Sequence, residues 1–397
     1  MVTNHCAPSA ISGSLMSNEH SAGSTPAIGE TLVFARADFP QLIDNLATHG
    51  FEVIAPTVRD SSIVYDAIEK VEDLPIGWTD QQEAGRYRLE RRGDNALFGY
   101  NVGPHSWKAW LYPSHVKLWQ AQRDQQGMVF ESETQAIPRY AFLGVRACEL
   151  NAIAVQDKVL LEGQFSDAHY RVLREKVFIV AVNCVEAGRT CFCTSMNTGP
   201  KVEQGYDLAL TELIDAERHE FLVEVGSAQG AGMLDSVAHR PAEPTDLTAA
   251  AARIGDAAQS MGRQLDAGRV KDLLQSNLQH PRWDEVAERC LSCGNCTSVC
   301  PTCFCTNVED VTDLTGEYAE RHRNWESCFS ADFSYIHGIR VRADTRSRYR
   351  QWLTHKLANW VDQFDVSGCV GCGRCIAWCP VGIDITEEVA AIGADRD

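Results

Sequence analysis

The sequence has no run of about 18 apolar residues, the length a membrane-crossing helix needs. Its first ten residues, MVTNHCAPSA, carry neither a basic n-region nor an apolar h-region. A cytoplasmic protein is therefore expected. Basic residues are scarce, 36 Lys and Arg against 54 Asp and Glu, for a formal charge of -18. That balance argues against a nucleic-acid backbone as partner. There is no Walker A sequence, no H-E-x-x-H and no recognisable Ser/His/Asp set, and GSAQGAG at 226–232 has the wrong spacing for a dinucleotide loop. No flavin, nicotinamide, nucleotide or hydrolytic site is expected on this chain.

Cysteine is what the chain has in excess, with 16 among 397 residues. A chain of this length with 44% hydrophobic residues can bury two or three cores without covalent staples. In a reducing compartment the thiols point instead to metal ligation or redox chemistry.

Residues 1–28 are rich in Ser, Gly, Ala and Pro without a hydrophobic period and read as a disordered tail; Cys6 lies there and is given no role. From Thr31 short apolar runs alternate with amphipathic segments: TLVFA (31–35), EVIA (52–55), YAFLGV (140–145), VFIVAV (177–182) and a run at 221–225. This predicts an α/β domain over 29–225, in which YAFLGV and VFIVAV are buried parallel strands joined by a helix carrying Leu150, Ile153, Ala154 and Leu161 on one face. Residues 226–250 shift to Gly, Pro and Ala and read as a linker, the first part of a linker-and-helix segment over 226–280. Pro281 then opens a short helix leading to Cys290. The fold class expected is α+β: the N-terminal α/β domain, then a mainly helical ferredoxin-like domain over 281–397 with an insertion at 301–368.

Two runs define that second domain. Cys290, Cys293, Cys296 and Cys300 follow C-x2-C-x2-C-x3-C with Pro301 next; Cys369, Cys372, Cys375 and Cys379 repeat the pattern with Pro380 next. In such runs the first three thiolates take three irons of one [4Fe-4S] cube and the fourth ligates the other. Cys290, Cys293, Cys296 and Cys379 are thus assigned to one cluster, and Cys300, Cys369, Cys372 and Cys375 to the second. Zinc also uses C-x2-C pairs but has no use for a third cysteine at that spacing followed by C-P.

The pentapeptide TCFCT occurs twice, at 190–194 and 302–306. Cys148 and Cys184 follow two predicted parallel strands, whose carboxyl ends form the ligand crevice of such a sheet. With Cys191 and Cys193 returning to them, four thiols match the count for a third [4Fe-4S] cluster; small buried hydrophobes are the plain alternative. Cys303, Cys305 and Cys328 lack a fourth cysteine, so either another side chain joins them or, the reading favoured, they pack around a neighbouring cluster. The stretch 321–350 holds seven arginines and three acidic residues, either a solvated face or a docking surface for an acidic partner.

The motifs GRYRL (85–89), GPHSWK (103–108), GVRACELNAI (144–153), TCFCTSMNTGP (190–200), CLSCGNCTSVCPTCFC (290–305), WESC (325–328) and GCVGCGRCIAWCPVGIDI (368–385) occur in a distinctive order. On them the chain resembles the beta subunit of cytoplasmic nickel-iron hydrogenases of the sulfhydrogenase type, and the similar iron-sulfur subunit of anaerobic sulfite reductase. It departs from the family's commoner GVRPCD and SMGTGP at Ala147, Glu149 and Asn197. The resemblance implies an electron-transfer subunit of an oxidoreductase complex, without catalysis of its own. It would relay electrons between a flavin-containing NAD(P)H subunit and a catalytic hydrogenase or sulfite reductase subunit. Neither a nickel site nor a sirohaem signature is present, so both terminal reactions stay open. Two other functions compete: a self-contained thiol or sulfur reductase acting through the CFC thiols, and a structural zinc scaffold.

Overall fold

The computed structural model describes residues 25–132 and 137–394. The tail expected over 1–28 lies, as far as residue 24 and with Cys6, outside the described residues. Fourteen strands build the sheets that flank the cysteines: β1 (Thr31–Ala35), β2 (Glu52–Arg59), β3 (Ser62–Ala67), β4 (Trp78–Glu83), β5 (Arg86–Arg91), β6 (His115–Asp124), β7 (Gly127–Ser132), β8 (Tyr140–Val145), β9 (Phe178–Val182), β10 (Leu208–Ile214), β11 (His219–Val225), β12 (Arg240–Pro241), β13 (Thr306–Thr312) and β14 (Tyr318–Trp325).

Eight of them form the main sheet, in the order β12-β1-β11-β10-β9-β8-β2-β3. Its centre is parallel, β2 beside β8, β8 beside β9 and β9 beside β10, and its flanks are antiparallel. Every residue of β9 is buried, as a strand covered on both faces requires. Alternation in β8 shows how: Ala141 and Leu143 pack with Leu42 and Leu46 of the helix Phe39–Thr48, while Phe142 and, past a register shift between Leu143 and Val145, Val145 pack with Leu150 and Ile153 of the helix Ala147–Leu160 on the opposite face. The latter helix is buried more widely than one stripe, at Cys148, Glu149, Ala152 and Gln156 as well, because its other side meets the cysteine-rich domain. Ala154 of the expected apolar face is exposed.

Two expectations need correction. The segment 226–250 is structured rather than a linker. Ser227 caps the helix Ala228–Leu234, its Oγ accepting from Gly230 N at 3.0 Å; β12 adds an edge strand to β1; and Pro244 sits in the first turn of the helix Pro244–Gln259. The small residues that suggested a linker allow close packing, since a Cβ at Gly230 would lie 2.2 Å from Asp207 O. The cysteine-rich region is also less helical than expected. Within the insertion, β13 and β14 form a hairpin that pairs through β14 with β6, completing a second sheet in the order β13-β14-β6-β7. The insertion is thereby bonded to the N-terminal half.

The second core holds Phe192, Trp283, Val286, Phe329, Tyr349, Trp352, Leu357 and Ile376, with cysteines of both runs packed against it. One of its long helical segments, Thr345–Thr354, passes through a π turn at His355–Asn359 before continuing as Trp360–Phe364 and ending at Asp365 with φ 57°.

Candidate metal centres

Cys290, Cys293, Cys296, Cys375 and Cys379 line one cavity with about 420 Å³ of atom-free space, part of it open to solvent. Burial pushes the Cys296 thiol well up, and its neighbours Cys290, Cys379 and Cys293 add to the shift. The crossing-over of the fourth cysteine brings Cys379 to this group. Leu291, Phe329, Trp352, Val381, Ile383 and Ile385 supply much of the remaining wall, and no charged side chain is part of it. Tyr349 and Trp352 also face this cavity, and the buried Tyr349 OH and Trp352 Nε1 find no hydrogen-bond partner among the described residues. Two unpaired donors on a thiol-lined cavity suit an occupant with acceptor sulfur atoms.

Cys300, Cys369, Cys372 and Cys375 form the second group. Burial raises Cys375, and Cys369, Cys372 and Cys300 act on it next; burial also pushes Cys369 up to about 12. Lys356, 3% exposed, projects from the π turn to this place. Its ammonium donates to Cys300 Sγ at 3.1 Å, Thr302 Oγ1 at 3.1 Å and Gly368 O at 3.0 Å. No carboxylate is among these partners. A buried ammonium so placed needs an anion, and thiolates carrying a cluster provide one.

Cys148, Cys184, Cys191 and Cys193 are brought together beyond the ends of β8 and β9. Burial raises Cys193, followed by the effects of Cys184, Cys191 and Cys372; burial likewise pushes Cys191 up to about 12. The backbone passes close beside them: a Cβ at Gly188 would stand 3.1 Å from Cys191 Sγ and one at Gly199 3.2 Å from Cys193 Sγ, tighter than ordinary contact. Arg146, 3% exposed, donates through its backbone N to Glu149 Oε2 at 3.2 Å, while its guanidinium reaches Cys184 Sγ at 4.0 Å through Nη1 and the carbonyl oxygens of Asn183, Phe98 and Tyr100. The guanidinium too lacks a bonded carboxylate. Asn197, where the commoner family form has glycine, takes φ 55°, a conformation asparagine tolerates better than most residues. Ala147 stands at the first helical position, where proline is equally at home.

Among the described residues no three His, Cys, Asp or Glu side chains close around a point that could hold a single metal ion.

The second and third groups adjoin. Phe192 N donates to Gly371 O at 2.8 Å, Cys191 Sγ approaches Cys372 O at 3.9 Å, and Cys148, Cys193 and Cys372 share a small apolar cluster with Val370. The first TCFCT is thus seated on the second ferredoxin loop. The other copy behaves differently. Thr302 accepts from Lys356, Cys303 hydrogen-bonds with Cys300, and Cys305 pairs with Cys328, whose hydrogen bond lowers the Cys305 thiol to about 7. Lys108 donates to Cys303 O at 3.0 Å and lies over the Trp325 ring at 3.9 Å.

The arginines of 321–350 are largely occupied within the chain. Arg323 is buried against Asp167, Arg321 pairs with Asp310, Arg340 with Asp332 and Arg346 with Asp284, and Arg348 and Arg350 bond carbonyl oxygens. Sequence reasoning missed Lys356, Tyr349 and Trp352, for which no local pattern exists, passed over Lys108 and Arg146 although they lie inside the quoted motifs, and noted Glu149 only as a departure from the family form.

Residues 289–383 match the 4Fe-4S dicluster domain family. Sulfhydrogenase 2 subunit beta of Pyrococcus furiosus is 32% identical over 271 residues, spanning 65% of this chain and 76% of that protein. The chain belongs to the sulfhydrogenase beta-subunit family. It is a mixed α/β protein of that family with a C-terminal 4Fe-4S dicluster domain. No solved structure matches it, and no described helix is long and apolar enough to cross a membrane.

Proposed function

We propose that this chain is the iron-sulfur electron-transfer subunit of a hydrogenase-like complex, relaying electrons between a flavin-containing NAD(P)H subunit and a catalytic subunit. The observation that carries the reading is the adjacency of three thiol groups. Cys290, Cys293, Cys296 and Cys379 would hold one [4Fe-4S] cluster, Cys300, Cys369, Cys372 and Cys375 a second, and Cys148, Cys184, Cys191 and Cys193 a third. When bound, such clusters accept and release single electrons at potentials set by charge, hydrogen bonds and burial.

The chain's own residues hold the thiols in place and shield them. Trp352, Phe329 and Ile383 give the first group an apolar wall, while Cys293 of that group is exposed. Cys296 and Cys375 lie within each other's electrostatic reach, and Cys372 acts on Cys148. The sequence of thiols therefore runs from the surface at Cys293 to the strand ends at Cys148, a disposition suited to passing electrons through the chain rather than to binding a substrate. The name of the relative, a sulfhydrogenase subunit, supports membership of a multi-subunit redox complex.

Anaerobic purification of the chain with its neighbours tests this. About twelve irons per chain and co-elution with a flavin-containing subunit are expected on the four-iron count per cluster. About eight would remove the third cluster, and a stable monomer that exchanges no electrons with a flavin subunit would overturn the relay.

A further inference from the structure

We propose that Lys356 holds the second cluster, on Cys300, Cys369, Cys372 and Cys375, at a more positive reduction potential than the first, on Cys290, Cys293, Cys296 and Cys379. An electron in the dicluster domain then rests on the second. This inference relies on the cluster assignment above and adds an order to it.

The contrast between the two environments carries the argument. Lys356 touches Cys300 Sγ at 3.1 Å, and its other bonds go to the neutral oxygens of Thr302 and Gly368. No carboxylate is bonded to it, so the thiolates and the cluster they carry are its counter-charge. The first cavity has no charged residue in its wall and offers the neutral donors of Tyr349 and Trp352. Of the cations near its ligands, Arg282 and Arg289 both pair with the buried Glu388, and Arg348 reaches Ser292 Oγ at 3.4 Å and the carbonyl oxygens of Arg342 and Ala343 rather than a thiol. Arg374, adjacent to Cys375, is likewise neutralised, by Glu149. Reduction adds one negative charge to a cluster, so a cation bonded to a ligand sulfur and to no carboxylate, in a poorly screened interior, favours the reduced form. Hydrogen bonds from neutral donors act in the same direction, but more weakly than a full charge.

Lys356 is also held in place for this purpose. The π turn His355–Asn359 carries it, and π turns recur at functional sites because they redirect a side chain out of the helical register. Thr302 fixes the ammonium from the other side, its Oγ1 lying 3.1 Å from both Lys356 Nζ and Cys300 Sγ and donating to Gly368 O at 2.7 Å. The threonine of the second TCFCT thereby positions the lysine and the thiol together.

The test is an anaerobic redox titration of the full chain followed by electron paramagnetic resonance, on the wild type, Lys356→Met and Lys356→Arg. Cys293→Ser and Cys372→Ser identify which signal belongs to which cluster. In the wild type the higher midpoint should belong to the second cluster. Lys356→Met should move that midpoint to more negative potential while the first stays, and Lys356→Arg should restore most of the loss. A wild-type order in which the second cluster is equal to or below the first overturns the proposal, whether or not Lys356→Met retains its iron. So does a Lys356→Met protein with full iron and unmoved midpoints. Fewer than about eight irons in the wild type would strike the cluster assignment instead, and the iron count separates the two failures.

Discussion

Glu149 and Arg374 form an ion pair with 1% and 0% of their side chains exposed, one beside Cys148 and the other beside Cys375. Tyr65 OH lies 2.8 Å from each Glu149 oxygen and Trp107 Nε1 donates to Oε2 at 3.1 Å; Arg374 Nε bonds Gly103 O at 3.0 Å and His105 O at 3.1 Å. This network locks the sheet domain to the ferredoxin loop. It reaches into GPHSWK, GVRACE and GCGRC, three motifs far apart in the sequence.

Removing one partner should be costly. Glu149→Gln leaves a buried guanidinium without its counter-charge, and a loss of about 3–5 kcal/mol is expected. Denaturant titration of the anaerobic holoprotein measures it. The double variant Glu149→Gln with Arg374→Met should lose less than the summed losses of the two single variants, since the two residues act as one unit; strict additivity would contradict a coupled pair.

Gly373 should not tolerate a side chain. Its φ is 74°, and a Cβ would fall 2.3 Å from Thr190 O of the first TCFCT. Gly373→Ala therefore suffers the left-handed strain of roughly 1–2 kcal/mol together with a clash against backbone, and should lower iron content. Gly205→Ala is the control, having φ 83° and nothing within 4 Å. Equal iron loss in both would show that backbone strain, not the contact with the pentapeptide, is responsible.

The acidic limb of stability should depend on Asp246. Its carboxyl, 4% exposed, receives Arg240 Nη1 at 2.6 Å and Arg218 Nη1 at 3.1 Å, and the Arg240 hydrogen bond foremost holds it below its usual value. A carboxylate with a depressed folded pKa contributes stability that is complete above its unfolded value of about 3.9 and is lost as pH falls through the folded one. The stability gap between wild type and Asp246→Asn should accordingly be widest near neutrality and close with acidification. A gap independent of pH would mean that shape, not charge, makes the contribution.

The parallel centre of the sheet was legible because β8 and β9 are short apolar runs with nothing else to become. Where the cysteines gather was legible in part: Cys379 lines the cavity of the first run, as the spacing implies, but so does Cys375, which the spacing assigns to the second run, and the strand ends collect Cys148 and Cys184. The hairpin β13–β14 was not, since β13 is exposed over most of its length and its place is set by β6, some two hundred residues earlier. Nor was Lys356, because nothing in THKLANW announces a π turn. The glycines and alanines of 226–250 misled for a related reason. Small residues mark both linkers and close packing, and only the neighbour across the gap decides.

The two copies of TCFCT should part company when their cysteines are replaced. Cys191 stands with Cys148, Cys184 and Cys193, and Cys191→Ser should release about four irons per chain, one cluster's worth. Cys305 pairs with Cys328 and faces the lysine side of the second group, so Cys305→Ser should keep the iron count. Iron and protein assays on both variants, prepared anaerobically, decide the matter. Loss of iron from Cys305→Ser would make the second copy a ligand segment as well, and retention in Cys191→Ser would return the first copy to packing. The physical difference between them is the partner: the first pentapeptide meets two further thiols, Cys148 and Cys184, at the strand ends, while the second meets an ammonium that already needs the thiolate of Cys300.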